Sequence, residues 1–354
     1  MKKFTAAVVG IGRIGWTLGF DKKREQPASH VMALKKNPRV KLIAGVDNDL
    51  KQLARFRAKN PLVRAYRSID ELYQNCDPDI VVVAVNESAH LQVTLDVLAR
   101  SPRLLILEKP VALNLREAAK IKSAAKKFGV PILVNHERRH SVDYNLAASY
   151  LPKIGALQSI TARLFSGMKL YDPACEDSGA YSLLHDGTHL VDIVLFLLET
   201  LEGGGKPGGN KAGGGARVLL KNPVVTGVFR DPKNKEIVRE LSAHYSCKSC
   251  PQVTFFMSGR SRFFGFELDI VGTEGRVCIG NGYAKFYRRS PSKLYTDFYS
   301  LSRDRGVALP KKTGYFANMV KNAVDFLDQK TPLKSTLQTG INALSVLEEI
   351  KAAL

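Results

Sequence analysis

The chain has 354 residues, of which 45% are hydrophobic and 24% are charged. This length and composition exclude a disordered chain and predict packed cores in more than one domain. The 53 basic residues outnumber the 33 acidic ones, which gives a net charge of +20. Because the basic residues are spread along the chain, the charge does not indicate nucleic-acid binding. We interpret it as a solvated basic surface or as a field that attracts an anionic substrate.

The cellular location follows from what the sequence does not contain. No apolar run reaches the roughly 18 residues that span a bilayer, and MKKFTAAVVGIG at the start leads into a strand instead of a cleavable signal. The five cysteines are an odd number at irregular spacing, which is typical of a reducing compartment. Cys247-Lys-Ser-Cys250 has no second pair at zinc spacing. We expect a cytoplasmic protein with no metal site and no membrane partner.

A glycine-rich turn follows the first predicted strand. The apolar run 3–9 is followed directly by Gly10-Ile-Gly-Arg-Ile-Gly15. Gly10 permits a tight turn, Gly12 lets the backbone approach a pyrophosphate, and Gly15 lets the next helix pack against the sheet. The N-terminus of that helix would face the phosphates. The pattern predicts a dinucleotide site.

An acidic residue ends the second predicted strand. The apolar run Val40–Val46 is followed by Asp47, whose carboxylate can accept hydrogen bonds from the adenosine ribose hydroxyls. A 2′-phosphate would be repelled there, so NAD is favoured over NADP. Asp47 lies 32 residues after Gly15, instead of the usual spacing of about 20. We attribute the excess to an enlarged loop and helix over Asp21–Arg39.

Strands and helices continue to alternate as far as residue 137. Helix starts are predicted at Ser68-Ile-Asp-Glu71 and Asn114-Leu-Arg-Glu117, and further apolar strands at 79–85, 103–107 and 132–135. The segment Ile106-Leu-Glu-Lys-Pro110 puts a lysine at the carboxyl end of a strand, where parallel sheets bind ligands. Together with the glycine turn, it predicts a nicotinamide-dependent enzyme.

Beyond residue 137 the periodicity changes. Polar and apolar residues alternate in runs such as Gln158–Phe165 and Phe264–Ile270, and Val271–Ile279 predicts a turn between two strands. A helix is predicted from Asp186 to Leu198, and eight glycines in the range 202–215 predict a mobile loop after it. We therefore expect a Rossmann NAD(P)-binding domain over 1–137 and a second, α/β domain over 138–354, to which the family resemblance described next assigns substrate binding and oligomerisation.

Four motifs, in order, resemble the glucose-fructose oxidoreductase, inositol dehydrogenase and rhizopine catabolism family (Gfo/Idh/MocA). They are the GIGRIG turn, Asn86-Glu-Ser-Ala-His90, Glu108-Lys-Pro110 and GAYSLLHDGTHLVD at Gly179–Asp192. The resemblance implies an α/β fold with an N-terminal Rossmann domain, followed by a C-terminal α+β domain with a large, mainly antiparallel open sheet. In the family this sheet commonly forms the dimer interface, so a homodimer or homotetramer is expected.

The resemblance also implies roles for single residues. Lys109 would hydrogen-bond the reacting hydroxyl, Glu108 would contact the nicotinamide ribose, and His189 would be the acid/base. A histidine suits proton removal near neutral pH, and an ammonium stabilises a developing alkoxide. The expected cofactor contacts are Gly10, Gly12, Arg13, Ile14, Gly15, Asp47, Val85, Asn86, Glu87, His90, Glu108 and Lys109. The expected substrate contacts are Lys109, Asn135, Arg138, Asp186 and His189.

Two positions depart from the family pattern. Many members carry an aspartate four residues before the histidine, where this chain has His185, and the carboxylate lies next to it at Asp186. His185 is therefore an alternative proton carrier. The usual Pro-Asn before His90 is replaced by Asn86-Glu87, and Glu87 adds negative charge near the dinucleotide.

The sequence thus predicts an NAD-dependent oxidoreductase that acts on a CH–OH group of a sugar, cyclitol or sugar derivative, including an anionic one. Two other functions stay open at this point. One is a non-catalytic NAD-binding sensor or regulator, which the presence of both Lys109 and His189 opposes. The other is an NAD-dependent lyase or glycosidase that oxidises its substrate transiently and gives no net NADH.

Overall fold

The structure is a computed structural model that describes residues 3–167, 179–203 and 218–354. The chain divides into two compact units. The first unit consists of Met1–Val142 and Lys312–Leu344, and the second of Asp143–Lys311 and Ser345–Leu354. Most of the glycine-rich range 202–215 lies outside the described residues, as do Lys169 and Cys175. The domain boundary at residue 137 stays a prediction.

The first unit contains a six-stranded parallel sheet. Four of its strands, Phe4–Val9, Ile80–Val83, Leu104–Leu107 and Ile132–Val134, are almost wholly buried, as expected where helices cover both faces. The strand order β3-β2-β1-β4-β5-β6 reverses direction between β1 and β4, which is where Rossmann sheets bind ligands. The predicted Rossmann fold is therefore confirmed. The strands are β1 (Phe4–Val9), β2 (Val40–Val46), β3 (Arg64–Tyr66), β4 (Ile80–Val83), β5 (Leu104–Leu107) and β6 (Ile132–Val134).

Local capping explains where several helices of this unit begin. The side chain of Ser68 accepts a hydrogen bond from the Glu71 N–H at 3.1 Å, and that of Asn114 accepts one from the Glu117 N–H at 3.0 Å. Both predicted helix starts are confirmed. The first five helices are α1 (His30–Lys36), α2 (Leu50–Lys59), α3 (Ile69–Asn75), α4 (His90–Ala99) and α5 (Leu115–Phe128).

The segment after the glycine turn differs from the expected direct helix. A single 3₁₀ turn at Thr17–Phe20 follows Gly15, and α1 begins only at His30, where the Ser29 side chain caps it. Pro27, after a cis peptide bond, lies inside the intervening stretch and cannot donate to a continuous helix. The expected enlarged loop and helix over Asp21–Arg39 is confirmed.

The second unit contains an eight-stranded mixed sheet in the order β14-β13-β12-β11-β7-β10-β9-β8. Among its described strands, β7 and β10 pair in parallel and the other pairs are antiparallel, as predicted. The predicted turn lies between Gly272 and Gly275. The strands are β7 (Leu157–Gly167), β8 (Lys221–Arg230), β9 (Val238–Ser246), β10 (Val253–Ser258), β11 (Arg260–Gly272), β12 (Gly275–Gly280), β13 (Tyr283–Pro291) and β14 (Tyr299–Arg303).

Four further helices complete the described chain: α6 (Val142–Tyr150), α7 (Tyr181–Glu202), α8 (Tyr315–Leu327) and α9 (Leu337–Ala352). The sequence predicted α7 from Asp186 to Leu198, but the helix begins five residues earlier because the apolar run from Tyr181 is itself buried. Within the described residues, α7 is the one helix long and apolar enough to cross a membrane. In its most apolar stretch of 18 residues, 83% is buried, as in the core helix of a soluble domain.

Candidate functional site

The glycine turn is tightly packed at its ends and open in its middle. Gly10 has φ +89°, and a Cβ atom there would lie 2.5 Å from the Ala84 carbonyl oxygen. A Cβ on Gly15 would overlap the carbonyl of Gly10. At Gly12, by contrast, no described atom lies within 4 Å of the position that a Cβ would occupy. The backbone at Gly12 is therefore accessible to a flat, close-fitting ligand such as a pyrophosphate.

Asp47 is bonded to this turn. Its Oδ2 accepts a hydrogen bond from the Ile11 N–H at 3.1 Å, and its Oδ1 accepts one from the Asp49 N–H at 3.0 Å. The Gln52 side chain donates to the Ile11 carbonyl, which fixes the same segment from α2. A half-buried carboxylate is thus held at the carboxyl end of β2 beside the glycine turn. This is the arrangement that binds the ribose hydroxyls of NAD.

The segment after β4 contains the next predicted cofactor residues. Asn86 is exposed, while Val85 and Glu87 are half-buried. His90 is buried, with its Nδ1 2.8 Å from the Pro110 carbonyl and its Nε2 3.2 Å from that of Val85. Burial lowers the pKa of His90, so the ring is neutral near pH 7 and has one N–H to donate. His90 thereby ties the loop after β4 to the segment after β5.

Glu108 lies at the centre of a buried hydrogen-bond network. Its Oε1 is 2.6 Å from the Nε2 of His30 and accepts a bond of 2.6 Å from the Nδ2 of Asn135. Burial alone would raise the pKa of Glu108. The hydrogen bond and charge of His30, the hydrogen bond from Asn135 and the charge of Lys109 lower it by more, so the pKa of Glu108 lies below its usual value. Glu108 is therefore a buried carboxylate.

Two atoms of this network offer bonds to a ligand. Within the described residues, the buried Oδ1 of Asn135 and the buried Nδ1 of His30 have no hydrogen-bond partner. A buried polar atom without a partner is costly, so such atoms point to a missing group. Lys109 follows Glu108 at the end of β5, is half-buried, and donates its backbone N–H to Glu108 Oε2 at 3.3 Å. These residues and the open Gly12 fit a bound dinucleotide.

The turn after β6 supplies a second carboxyl group. Glu137 is half-buried, and its Oε1 lies 3.4 Å from the Nη1 of Arg138. Burial raises the pKa of Glu137; the Arg138 guanidinium opposes this, and the Glu108 carboxylate adds to it. Arg139 and His140 are buried at 1% and 2% exposure. Among residues 137–140, Glu137 and Arg138 are the ones that are partly exposed to solvent.

The second unit presents the predicted proton carriers on one helix. Tyr181, His185 and His189 follow one another at intervals of four residues on α7 and therefore share a face. His185, Asp186 and His189 are half-buried, and the rings of Tyr181 and His185 lie 6.2 Å apart. Gly187 packs on another side of the helix, where a Cβ would lie 2.6 Å from the sulfur of Met257. The face with the two histidines is thus distinct from the face that packs on β10.

Sequence reasoning missed His30. His30 pairs with Glu108 across 78 residues, and the long segment between Gly15 and α1 separates it from the glycine motif. Its position just after a Ser N-cap was the one local signal. Among residues 3–167, 179–203 and 218–354, no group of three or more His, Cys, Asp or Glu side chains is placed to bind a metal ion.

Comparisons with known proteins agree with this geometry. Residues 4–136 match the family model GFO_IDH_MocA, described as an oxidoreductase family with an NAD-binding Rossmann fold. Over 170 residues the chain is 27% identical to 1-carboxy-3-chloro-3,4-dihydroxycyclo hexa-1,5-diene dehydrogenase of Comamonas testosteroni, covering 46% of this chain and 42% of that one. It is 25% identical over 154 residues to 1,5-anhydro-D-fructose reductase of Ensifer adhaerens, covering 41% and 45%.

The chain spans about half the length of the curated relatives it matches. Among solved structures, a dehydrogenase from Chromobacterium violaceum superposes with a TM-score of 0.76 at 14% identity, covering 100% of this chain and 95% of that one. At that identity the likeness shows a shared fold for both units. The family match, the open glycine turn and the bonded Asp47 all concern one stretch of sequence, residues 4–136, which is similar to the NAD-binding Rossmann domain of the Gfo/Idh/MocA oxidoreductase family.

Proposed function

We propose that this protein is an NAD-dependent oxidoreductase that transfers hydride between the nicotinamide and a hydroxyl-bearing carbon of a sugar, cyclitol or sugar derivative. The observation that carries the proposal is that the open glycine turn, Asp47 and Lys109 all follow strands of one parallel sheet. Gly12 is open to a ligand, Asp47 is bonded beside it, and Lys109 emerges from the end of β5. The two curated relatives named above are a dehydrogenase of a dihydroxylated ring and a reductase of an anhydrosugar.

The residues of the first unit would bind NAD and orient the alcohol. NAD supplies the hydride acceptor when it is bound. The glycine turn and Asp47 would hold its pyrophosphate and adenosine ribose, while Asn135 Oδ1 is available to a ribose or amide group. The ammonium of Lys109 would donate a hydrogen bond to the substrate hydroxyl and stabilise its alkoxide character. The buried Glu108 fixes the backbone from which Lys109 projects.

The proton of the hydroxyl needs an acceptor, for which α7 offers His189 and His185. A neutral imidazole accepts a proton near pH 7, and each of these rings is half-buried on the same face of α7. We assign the acid/base role to His189, with His185 as the alternative and Asp186 as a substrate contact. Asp47 makes NAD the expected cofactor because its charge would repel the extra phosphate of NADP.

We also propose a homodimer or homotetramer formed through the sheet of the second unit, in a cytoplasmic protein. Along β7 the buried residues alternate with half-exposed ones, so one sheet face is left for another surface. That face includes the ion pairs Arg163–Glu267 and Arg276–Asp269. Cys247, Cys250 and Cys278 are free thiols, as a reducing compartment requires.

The proposal is tested by adding NAD and a panel of sugars, inositols and sugar acids and following the absorbance of NADH. We expect NADH with at least one class of substrate. In the Lys109→Met variant the rate should fall at least about a thousandfold, while the Kd for NAD stays within a few-fold, because the ammonium acts on the alkoxide. His189→Gln and His185→Gln are then compared at equal protein concentration, and the variant with the larger loss of kcat identifies the proton carrier. Tight NAD binding without turnover of any substrate would reject the oxidoreductase.

A further inference from the structure

The stretch between the 3₁₀ turn and α1 contains a run of positive charge. We call residues 21–29 the basic loop, because Lys22, Lys23 and Arg24 are consecutive and exposed within it. Rossmann sheets usually connect the glycine turn directly to a helix, so this loop is an addition to the cofactor-binding half. Whether these charges can act on a bound substrate depends on the position of the basic loop relative to Lys109.

The basic loop is fixed to the start of α8. The carboxylate of Glu25 accepts hydrogen bonds from the backbone N–H of Thr313 at 2.8 Å and of Gly314 at 2.6 Å, and a third from the Thr313 hydroxyl. Inside the loop, the Gln26 side chain donates to the Asp21 carbonyl at 2.8 Å. The loop therefore has a defined conformation, and Arg24 is placed near Tyr315 by the bonds of its neighbour Glu25.

The start of α8 in turn packs against the turn that contains Glu137. Val142 donates its N–H to the Thr313 carbonyl at 2.9 Å, and Asn318 donates its side-chain amide to the His140 carbonyl at 3.0 Å. The ring of Phe316 lies 5.3 Å from that of His30, which is the partner of Glu108. Contacts thus run continuously from the basic loop to the Glu108–Lys109 segment within the first unit.

Electrostatic effects agree with this placement. Burial raises the pKa of Tyr315 to about 12; the carboxylates of Glu137 and Glu25 add to the rise, and the guanidiniums of Arg24 and Arg138 oppose it. The charge of Arg24 also opposes the rise in the pKa of Glu137, as the charge of Lys109 does. Arg24 and Lys109 therefore both act electrostatically on one carboxyl group, that of Glu137 in the turn after β6.

The Arg24 guanidinium has N–H groups that can donate hydrogen bonds to a ligand. Its guanidinium pairs with the Asp21 carboxylate at 3.5 Å, and the Arg24 side chain is 45% exposed. A planar guanidinium binds carboxylate and phosphate groups through paired hydrogen bonds. Arg138, which follows Glu137 in the chain, is 14% exposed and also acts electrostatically on Glu137 and Tyr315.

We propose that Arg24, held by the basic loop, is a specificity-determining residue that binds an anionic group, a carboxylate or a phosphate, on the substrate whose hydroxyl meets Lys109. This inference rests on the proposed function for the identity of that substrate. It makes a sugar acid or a sugar phosphate the preferred class over a neutral sugar. We take the substrate and not the adenosine phosphates of the cofactor as the target, because Arg24 and Lys109 share an electrostatic effect on Glu137.

The test is a calorimetric titration of the NAD-loaded full-length protein with D-glucuronate, D-glucose 6-phosphate and D-glucose. We expect at least one anion to bind about tenfold or more tighter than glucose, and which anion it is distinguishes a carboxylate site from a phosphate site. Arg24→Gln should remove that advantage, Arg24→Lys should keep part of it, and neither should change the affinity for glucose. Lys22→Gln makes the same change of charge in the same loop and should alter each affinity less than about twofold.

Equal binding of the anions and glucose, binding of none of the three, or equal losses in Arg24→Gln and Lys22→Gln would overturn the anion site. Unchanged thermal unfolding of Arg24→Gln establishes that a loss is not misfolding. NADH formation, recorded in parallel, reports separately on the proposed function. An Arg24-dependent anion preference without NADH keeps the anion site and rejects the oxidoreductase, whereas NADH formation without anion preference keeps the oxidoreductase and rejects the anion site.

Discussion

The Nε2 atom of His30 lies 2.6 Å from the Oε1 atom of Glu108, and both side chains are almost completely excluded from solvent. This contact joins the start of α1 to the end of β5, two elements that are 78 residues apart. It also determines how firmly the backbone next to Lys109 is held. The pair is therefore the link between the stability of the first unit and the precision of its proposed active site.

Replacing His30 with alanine should destabilise the protein by about 3 kcal/mol, because the substitution leaves the Glu108 carboxylate buried without its closest partner. Urea unfolding at pH 7 measures the loss. Lys36→Ala, an exposed position on the same helix, should change the free energy of unfolding by about 0.5 kcal/mol or less. Equal effects of the two substitutions would show that the buried pair contributes no more than a surface side chain.

Gly12→Ala should separate cofactor binding from stability. Since no described atom lies within 4 Å of the added methyl group, the free energy of unfolding should change by about 0.5 kcal/mol or less, while the Kd for NAD rises about tenfold or more. The fluorescence of Trp16, which is the single tryptophan and donates its backbone N–H to the Gly12 carbonyl, provides the binding signal. Gly10→Ala is the contrasting variant and should unfold more readily, because of its positive φ and the clash with Ala84. A Gly12→Ala variant with normal NAD affinity would place the pyrophosphate elsewhere.

Asp47→Asn should reduce the preference for NAD over NADP by about tenfold, since the amide keeps an oxygen for the Ile11 N–H but loses the charge that repels a 2′-phosphate. Titrations of both dinucleotides against the variant measure the ratio of the two Kd values. Asp49→Asn, which alters a nearby exposed carboxylate at the α2 N-cap, is the matched control. If the ratio moves equally in both variants, the discrimination is a general effect of charge and not a property of Asp47.

The Arg39–Asp328 pair gives a pH-dependent test of stability. Asp328 accepts bonds of 2.9 and 3.0 Å from Arg39 and one of 2.8 Å from Lys330, and these cations hold its pKa at about 2. Because the pKa is depressed in the folded state, the contribution is complete above the unfolded pKa near 4 and is lost as the pH falls from about 4 to about 2. Asp328→Asn should therefore lower the unfolding temperature at pH 7 and have a much smaller effect near pH 2, where about half of the Asp328 carboxyl groups are protonated. Asp96→Asn, an exposed control, should give no such difference; a constant deficit at all pH values would argue against the ion pair.

Much of the fold could be predicted because its signals are local. The buried runs around Val8 and Val82 show by their composition that both sheet faces are covered, and the alternation from Gln158 to Phe165 shows a sheet with one covered face. The Ser68 and Asn114 caps depend on residues three positions away, so they could be found from sequence alone. The position of Lys109 at a strand end follows from the same local patterns.

The rest of the site depends on distant parts of the chain and could not be predicted. Nothing near His30 indicates that its ring meets Glu108, and nothing near Glu25 indicates that its carboxylate binds Thr313 and Gly314. The early start of α7 was missed because no capping side chain marks Ala180. Such contacts are decided by tertiary packing, which periodicity does not encode.

The position of α8 has a consequence for how the protein is made. Phe316, Met319 and Val320 belong to the same hydrophobic cluster as Phe4 and Val8, although about 300 residues separate them in the chain. Thr336 then pairs with Leu133 beside the sheet. A ribosome releases the first strand long before the helix that completes its core, so the first unit cannot reach its final packing until α8 has been synthesised. Until then, the apolar surface that α8 covers is exposed to aggregation.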